Sequence, residues 1–296
     1  EAGAVTRSVT AYSGNEGEEK AQRTFNYNYA GTGIKTTTVF AYHATEERLT
    51  RSVTYRGEVL AGAGAFTRSV TAYEGNEGEE KAKRTFNYNY AGTGIKTTTV
   101  FTYHPTEERL TESVTYRLEI ATEAAEAAAK KRSLTLYQGS EGEEKAQRTF
   151  NYNFDGDKVK TTTVFTYHAT EDRLTESVTY RGLVLLADEA SAVRRSLTLY
   201  QGNEGEEKAA RTFNYNYAGT GIKTTTVFVY NATSEALERS TTYRGEVLTG
   251  AGAFTRSVTV YSGSEGEEKA SRTFNYNYAG TGIKTTTVFT YHPTEE

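Results

Sequence analysis

The 296-residue chain has no cysteine, methionine or tryptophan and little leucine or isoleucine. Without cysteine there is no disulfide, no thiolate nucleophile and no cysteine-ligated zinc. No apolar run approaches the roughly 18–20 residues of a membrane helix, and the opening residues do not read as a secretory leader. The expectation is a soluble chain compatible with a reducing cytoplasm, its compartment unknown. The lack of methionine, even at position 1, reads as processing, trimming or a fragment. An excess of either charge is lacking too: 34 basic against 38 acidic residues leave a net charge of −4. There is no basic surplus for a nucleic-acid backbone and no acidic tail. Hydrophobic residues are only 36%, below the usual globular range. The 23 tyrosines and 13 phenylalanines, each burying on the order of 150–250 Å², still permit a core.

What the chain does contain is one stretch written five times: Arg23-Thr-Phe-Asn-Tyr-Asn-Tyr29, Ala30-Gly-Thr-Gly33, Ile34-Lys-Thr-Thr-Thr-Val-Phe40. Copies begin at Arg23, Arg84, Arg148, Arg211 and Arg272. Such period-locked units bury their cores against each other and count as one repeat domain. Its units span approximately 1–60, 61–121, 122–186, 187–248 and 249–296. Each unit has four strand-like runs rich in Thr, Tyr, Val and Phe, which suit a pleated surface. In the first these are Thr6–Tyr12, Arg23–Tyr29, Ile34–Tyr42 and Leu49–Tyr55. Gly14–Glu19, Ala30–Gly33 and His43–Glu47 punctuate them as loops. In the third copy the tight turn reads Asp155-Gly156-Asp157-Lys158, a strong hairpin signal. The last unit lacks its fourth run, so nineteen strands are expected.

Alternation by two assigns the faces. Pairing Tyr29 with Ile34, Tyr42 with Leu49 and Ala11 with Phe25 puts Phe25, Tyr27, Thr36, Thr38, Phe40, Val53 and Tyr55 on one large face. Thr24, Thr37, Val39 and Ser52 then share a small, hydroxylated one. A large face packing on the small face of the next sheet implies a propeller-like ring of five tandem four-stranded antiparallel meanders. A large barrel or a curled single sheet is the alternative.

Four variable links join the units. Gly57–Phe66 and Gly245–Phe254 are alike and glycine-rich. Leu118–Lys131 predicts a short helix capped by Thr122, with Glu126 and Lys130 as an i,i+4 pair. Leu183–Arg195 offers Asp188 as cap of a shorter one ending near Arg194. Neither helix holds alone in water, so both must dock on the sheet.

Candidate chemistry is thin. His43, His104, His168 and His292 recur once per repeat, with Asn231 in the fourth copy. A metal or acid–base site needs convergence, whereas symmetry spreads these apart and favours polar contacts within hairpin loops. Gly31–Thr37 lacks the Gly-Lys-Ser/Thr order and the following helix of a phosphate loop. The Glu16, Glu18, Glu19, Lys20 run reads as solvated charge rather than a calcium loop. The tyrosine rows could stack on sugars or bases, but their alternation favours packing. No catalytic set can be assembled, so no enzyme, metal or cofactor is expected.

The stretch around 104–116, with its Arg-Leu-Thr-x-Ser-Val-Thr-Tyr, resembles the YD repeats of bacterial RHS and insecticidal toxin shells. The likeness covers about a quarter of each repeat, and His104 and Glu108 stand where that family has Asp and Gly. It implies a structural shell or adhesive fibre rather than a catalyst. The near-verbatim copies, the Gly-Ser/Asn-Glu-Gly-Glu-Glu-Lys-Ala loops and the Ala/Glu/Lys link resemble idealised, computationally designed repeat proteins. That resemblance implies an engineered scaffold, monomeric if the ring closes.

Copies diverge from the end of the second repeat through the fourth, at 118–131, 155–159, 182–195 and 229–242. The expected customised surface comprises Thr122, Glu126, Lys130, Asp155, Asp157, Asp188, Arg194, Asn231, Glu235 and Glu238, meeting a protein or small molecule. The competing reading is diversification against register slips between copies.

Overall fold

The computed structural model describes residues 5–28, 31–60, 65–249 and 253–291; Tyr29 and His292 fall outside them. Its strands form one open antiparallel sheet, within which two compact units are distinguished. The first unit carries β1 (Ser8–Ser13), β2 (Lys20–Tyr27), β3 (Ile34–Tyr42), β4 (Leu49–Arg56), β5 (Thr67–Glu74), β6 (Lys81–Tyr88), β7 (Ile95–Tyr103), β8 (Leu110–Arg117) and β9 (Lys131–Gln138). Residues of β10 (Lys145–Tyr152) are divided between the units. The second carries β11 (Val159–Tyr167), β12 (Leu174–Arg181), β13 (Arg194–Gln201), β14 (Lys208–Tyr215), β15 (Ile222–Tyr230), β16 (Leu237–Arg244), β17 (Thr255–Ser262), β18 (Lys269–Tyr276) and β19 (Ile283–Val288).

Among the described residues nineteen antiparallel strands form as expected, but the propeller ring does not, and neither does a closed barrel. A blade would end at its fourth strand. Here the fourth strand pairs directly with the first strand of the next repeat: β4 with β5 and β8 with β9 in the first unit, β12 with β13 and β16 with β17 in the second. The single-sheet alternative is the one that stands. β1 and β19 are exposed along almost their whole length, as free edges are.

The faces also differ from expectation, through one bulge per hairpin. Asn26 stands opposite Thr36, but Tyr27 stands opposite Ile34, so Lys35 is an extra residue. The bulge shifts β3 by one position beyond Ile34 and reverses which side Thr36 to Phe40 take. Phe25, Thr37 and Tyr55 therefore share a face, with Arg23, Val39 and Val53 beside them. Thr24, Thr38 and Thr54 lie on the other. The strand β2 ends at Tyr27, and Asn28 closes the turn: its N–H donates to Gly33 O at 2.8 Å and its Oδ1 accepts from Thr32 N at 3.0 Å. Tyr42 does stand opposite Leu49 as expected.

The second face is a ladder of hydroxyl pairs. Thr10 bonds Thr24 at 2.9 Å, Thr38 bonds Thr54 at 3.0 Å and Ser52 bonds Tyr73 at 3.1 Å. The first face is covered by the links, because a fully buried threonine on the third strand of each of the first four repeats holds them down. Thr37 Oγ1 donates to Gly57 O at 2.8 Å and accepts from Val59 N at 3.0 Å. Thr98 does the same with Leu118 and Ile120, Thr162 with Gly182 and Val184, Thr225 with Gly245 and Val247. Held this way, Ile120 packs with Val114 and Tyr116 in the first unit, and Val184 with Val178 and Tyr180 in the second.

The expected helices are short. α1 is one turn, Glu123–Glu126, and Thr122 sits at its N-cap without a side-chain cap bond. Leu186–Ser191 is a 3-10 turn that places Asp188 inside it and Leu185 at the cap. Both links do dock: Ala129 and Ala192 pack against the two clusters.

Removing the Thr162 hydroxyl should strand Gly182 O and Val184 N in a dry site at about 1–3 kcal/mol each. Thr162→Val is therefore expected to lower stability by roughly 2–4 kcal/mol in urea unfolding. Thr163→Val, on the hydroxyl-ladder face, should cost no more than about 1.5 kcal/mol.

Candidate functional site

The residues that recur at chemically equipped positions lie at the joints between repeats. Lys20 opens β2 and its Nζ donates to Glu47 O at 2.7 Å, Glu47 Oε2 at 2.8 Å and Glu77 Oε1 at 2.7 Å. Glu47 belongs to its own repeat and Glu77 to the next, so one ammonium ties two repeats. Glu47 can offer carbonyl and carboxylate together because its backbone is left-handed, with φ 57°. Lys81 repeats the arrangement with Glu108 and Glu141. In the second unit Lys208 does so with Glu235 and Glu265. Partial desolvation pulls each lysine pKa down, but the paired carboxylates outweigh it and hold all three ammoniums above their ordinary value. The charge run expected to be solvated is thus partly structural.

A second carboxylate reaches backward across each joint. Glu80 accepts Leu49 N at 2.6 Å and Gly78 N at 3.0 Å. Glu144 accepts Leu110 N at 2.7 Å and Gly142 N at 3.0 Å. Burial opposes ionisation of both, yet these backbone donors keep their pKa values below the usual glutamate value. A third tie is a cation over a ring: Arg56 lies 5.0 Å from the Tyr90 ring, Arg117 5.0 Å from Phe154, Arg181 4.9 Å from Tyr217 and Arg244 4.9 Å from Tyr278.

The departing segments turn out to contain anchors that the sequence reading did not identify. Arg84, 6% exposed, is bonded to Glu126 of the α1 link. Arg148, 4% exposed, is bonded to Glu189 of the 3-10 link and donates to Val184 O at 2.7 Å. The equivalent arginines Arg23 and Arg211 are followed by glycine-rich links; their Nε atoms are buried without a partner, as is that of Arg84. The sequence does not single these glutamates out, because the glycine-rich links carry Glu58 and Glu246 as well. The partners lie 42 and 41 residues apart, beyond any local pattern.

Other expected site residues are largely occupied within their own hairpins. Glu126 faces Arg84 rather than Lys130, so the i,i+4 pair does not form; Lys130 lies 3.7 Å from Asp155 and over the Phe154 ring. Asp157 accepts from Asn153 Nδ2 at 2.7 Å. Arg194 bonds the hydroxyls of Tyr215 and Tyr180. Asn231 Nδ2 donates to Glu238 at 2.7 Å, while its Oδ1 accepts Thr233 N at 2.9 Å and Ser234 N at 2.8 Å. Glu235 is the partner of Lys208. Thr122 and Asp188 are exposed. In the first unit Thr122, Lys130 and Asp155 lie near one sheet end; in the second, Asn231, Glu235 and Glu238 form one hairpin to which Asp188 and Arg194 do not belong. His43 and His104 accept a backbone N–H from Glu46 and Glu107 inside their own loops, as Asn231 does in the fourth copy. Beside the lysine joints are open notches, about 260 Å³ at Lys20, Tyr42 and Glu47 and about 370 Å³ at Lys208, Tyr230 and Glu235. Among the described residues no three His, Asp or Glu come together as metal ligands would, and no helix is long and apolar enough to cross a membrane.

No known family matches the sequence, and no curated protein matches it. Among solved structures, the chain is similar to a porin-like protein from Bacteroides uniformis at 12% identity and TM-score 0.30, covering 84% of this chain and 91% of that one. It is also similar to the Photorhabdus luminescens Tc holotoxin pore at 12% identity and TM-score 0.26, covering 95% of this chain but 15% of that one. Both scores are too low to imply a shared fold.

Two outcomes follow from the geometry. Glu189→Ala leaves Arg148 buried and unpaired; because Glu189 itself is 30% exposed, the loss should fall at about 2–4 kcal/mol, at or below the buried-pair range. Arg148→Met with Glu189→Leu should recover much of it, read by urea midpoints. Glu144 has a folded pKa below its unfolded one, so its contribution is present at neutral pH and lost as pH falls through the folded value. The stability gap between the wild type and Glu144→Gln should therefore be open at pH 7 and close below about pH 4.

Proposed function

We propose that the chain is a non-enzymatic structural scaffold, a repeat sheet whose constant residues join one repeat to the next and whose links carry what is specific. One observation carries this reading. The recurring lysine, glutamate, arginine and threonine side chains are spent on joints: Lys20 with Glu47 and Glu77, Leu49 with Glu80, Arg56 with Tyr90, Thr37 with Gly57 and Val59. A catalytic residue must hold its proton or lone pair available to a substrate, and these groups are already bonded. The near-verbatim copies favour an engineered or recently duplicated array, and a natural shell or fibre segment is the competing origin.

A second reading, a binding surface on the divergent segments, is favoured by one exposed group. Phe154 is 74% exposed, with Lys130 and Asp155 beside it; it would suit a protein or small molecule with an apolar part and a charge.

Replacing both 118–131 and 182–195 by the glycine-rich link of 57–66 discriminates the two. The scaffold reading expects an unchanged far-UV β signal and a cooperative but lower unfolding midpoint, since Glu126 and Glu189 are lost. Collapse of the sheet signal would count against interchangeable links. Capture of a ligand by the wild type that disappears in the swapped chain would favour the binding surface.

A further inference from the structure

The second unit has two unlike ends. The loops after β13, β15 and β17 hold the charged joint of Lys208, Glu235 and Glu265. The links after β12 and β16 and the tight turns after β14 and β18 share the opposite end, since antiparallel neighbours reverse at every connection. That end is lined by exposed apolar side chains: Leu183 at 58%, Leu186 at 76%, Tyr217 at 86%, Leu248 at 63%, Phe254 at 57% and Tyr278 at 85%. Soluble monomers seldom leave so many in one row. The two tyrosines are also held in place, each ring 4.9 Å from the guanidinium of Arg181 or Arg244, so little further ordering is needed to bury them.

We propose that this apolar rim is the interface between two copies of the chain, packed rim against rim about a two-fold axis. Area supports it. Six side chains of this size and exposure offer several hundred Å² per copy, near the roughly 800 Å² a standard interface buries on each partner. Spacing supports it as well. Tyr217 and Tyr278 lie four strands apart, about 19 Å at the ordinary strand separation. Link and turn residues alternate along the rim at half that distance, so a second copy displaced by half a repeat meets rings with leucines. A row with this period is matched by the same row turned through a two-fold. A lipid surface fits less well, because the same rim exposes Asp188 and Glu246, which anionic headgroups repel.

Sedimentation velocity across the micromolar range tests this on the full chain. The wild type should shift from monomer to dimer with concentration. Tyr217→Ser with Tyr278→Ser removes four rings from the two-fold interface and should weaken the dimer by about a hundredfold or more, roughly threefold or more per ring, with an unchanged far-UV spectrum. Should the turns suffer, Leu186→Gln with Leu248→Gln removes rim surface away from the arginine stacks and must weaken the dimer likewise. A wild type that stays monomeric throughout overturns the proposal. So does association that neither variant weakens, which would point to edge strands, or flotation of monomer with phosphatidylserine vesicles.

Discussion

A buried hydroxyl on the third strand of each of the first four repeats governs how the chain continues. Thr37, Thr98, Thr162 and Thr225 each accept one link N–H and donate to one link carbonyl. A link backbone folded over a sheet would otherwise bury polar groups at a cost of about 1–3 kcal/mol each. With both satisfied, the link doubles back over the face, its Val or Ile enters the core, and the chain re-enters the sheet beside the strand it left. Repeats therefore extend one sheet instead of founding separate blades.

The remaining joints are built on the same economy of one group serving two repeats. Lys20 neutralises carboxylates from its own repeat and the next. Individually such exposed pairs contribute little. Their weight comes from recurrence, and from the backbone N–H groups that Glu80 and Glu144 cap, which would otherwise be left open at loop ends. Where the link is not glycine-rich, a glutamate is added for the arginine below it. The third-copy turn shows the tightness of these contacts. Gly156 sits at φ 78°, and a Cβ there would come within 2.5 Å of Lys131 N, so the Asp-Gly signal marks a close approach of two backbones as well as a turn.

Strand identity and number were legible because Thr, Tyr, Val and Phe in alternation, broken by glycine, leave few other options. The faces were not. A single bulge residue, Lys35, reverses the side taken by Thr36 to Phe40, and nothing in a period-two pattern announces it. The links were legible only in part. Alanine and glutamate at 122–131 signalled helix, but the segment keeps one turn because Glu126 is drawn to Arg84 instead of Lys130. Asn231 and His43 were correctly read as hairpin contacts, since their bonds are local.

The sequence by itself determined an all-β repeat with nineteen antiparallel strands, two kinds of link and no disulfide, because composition, alternation and the five-fold copy are properties of the chain alone. Only the tertiary structure decided that the repeats run on as one open sheet, which side chains share a face, and which arginine meets which glutamate. Those outcomes depend on register and on partners some forty residues apart, and both are set when strands pair and links fold back, not by any residue's near neighbours.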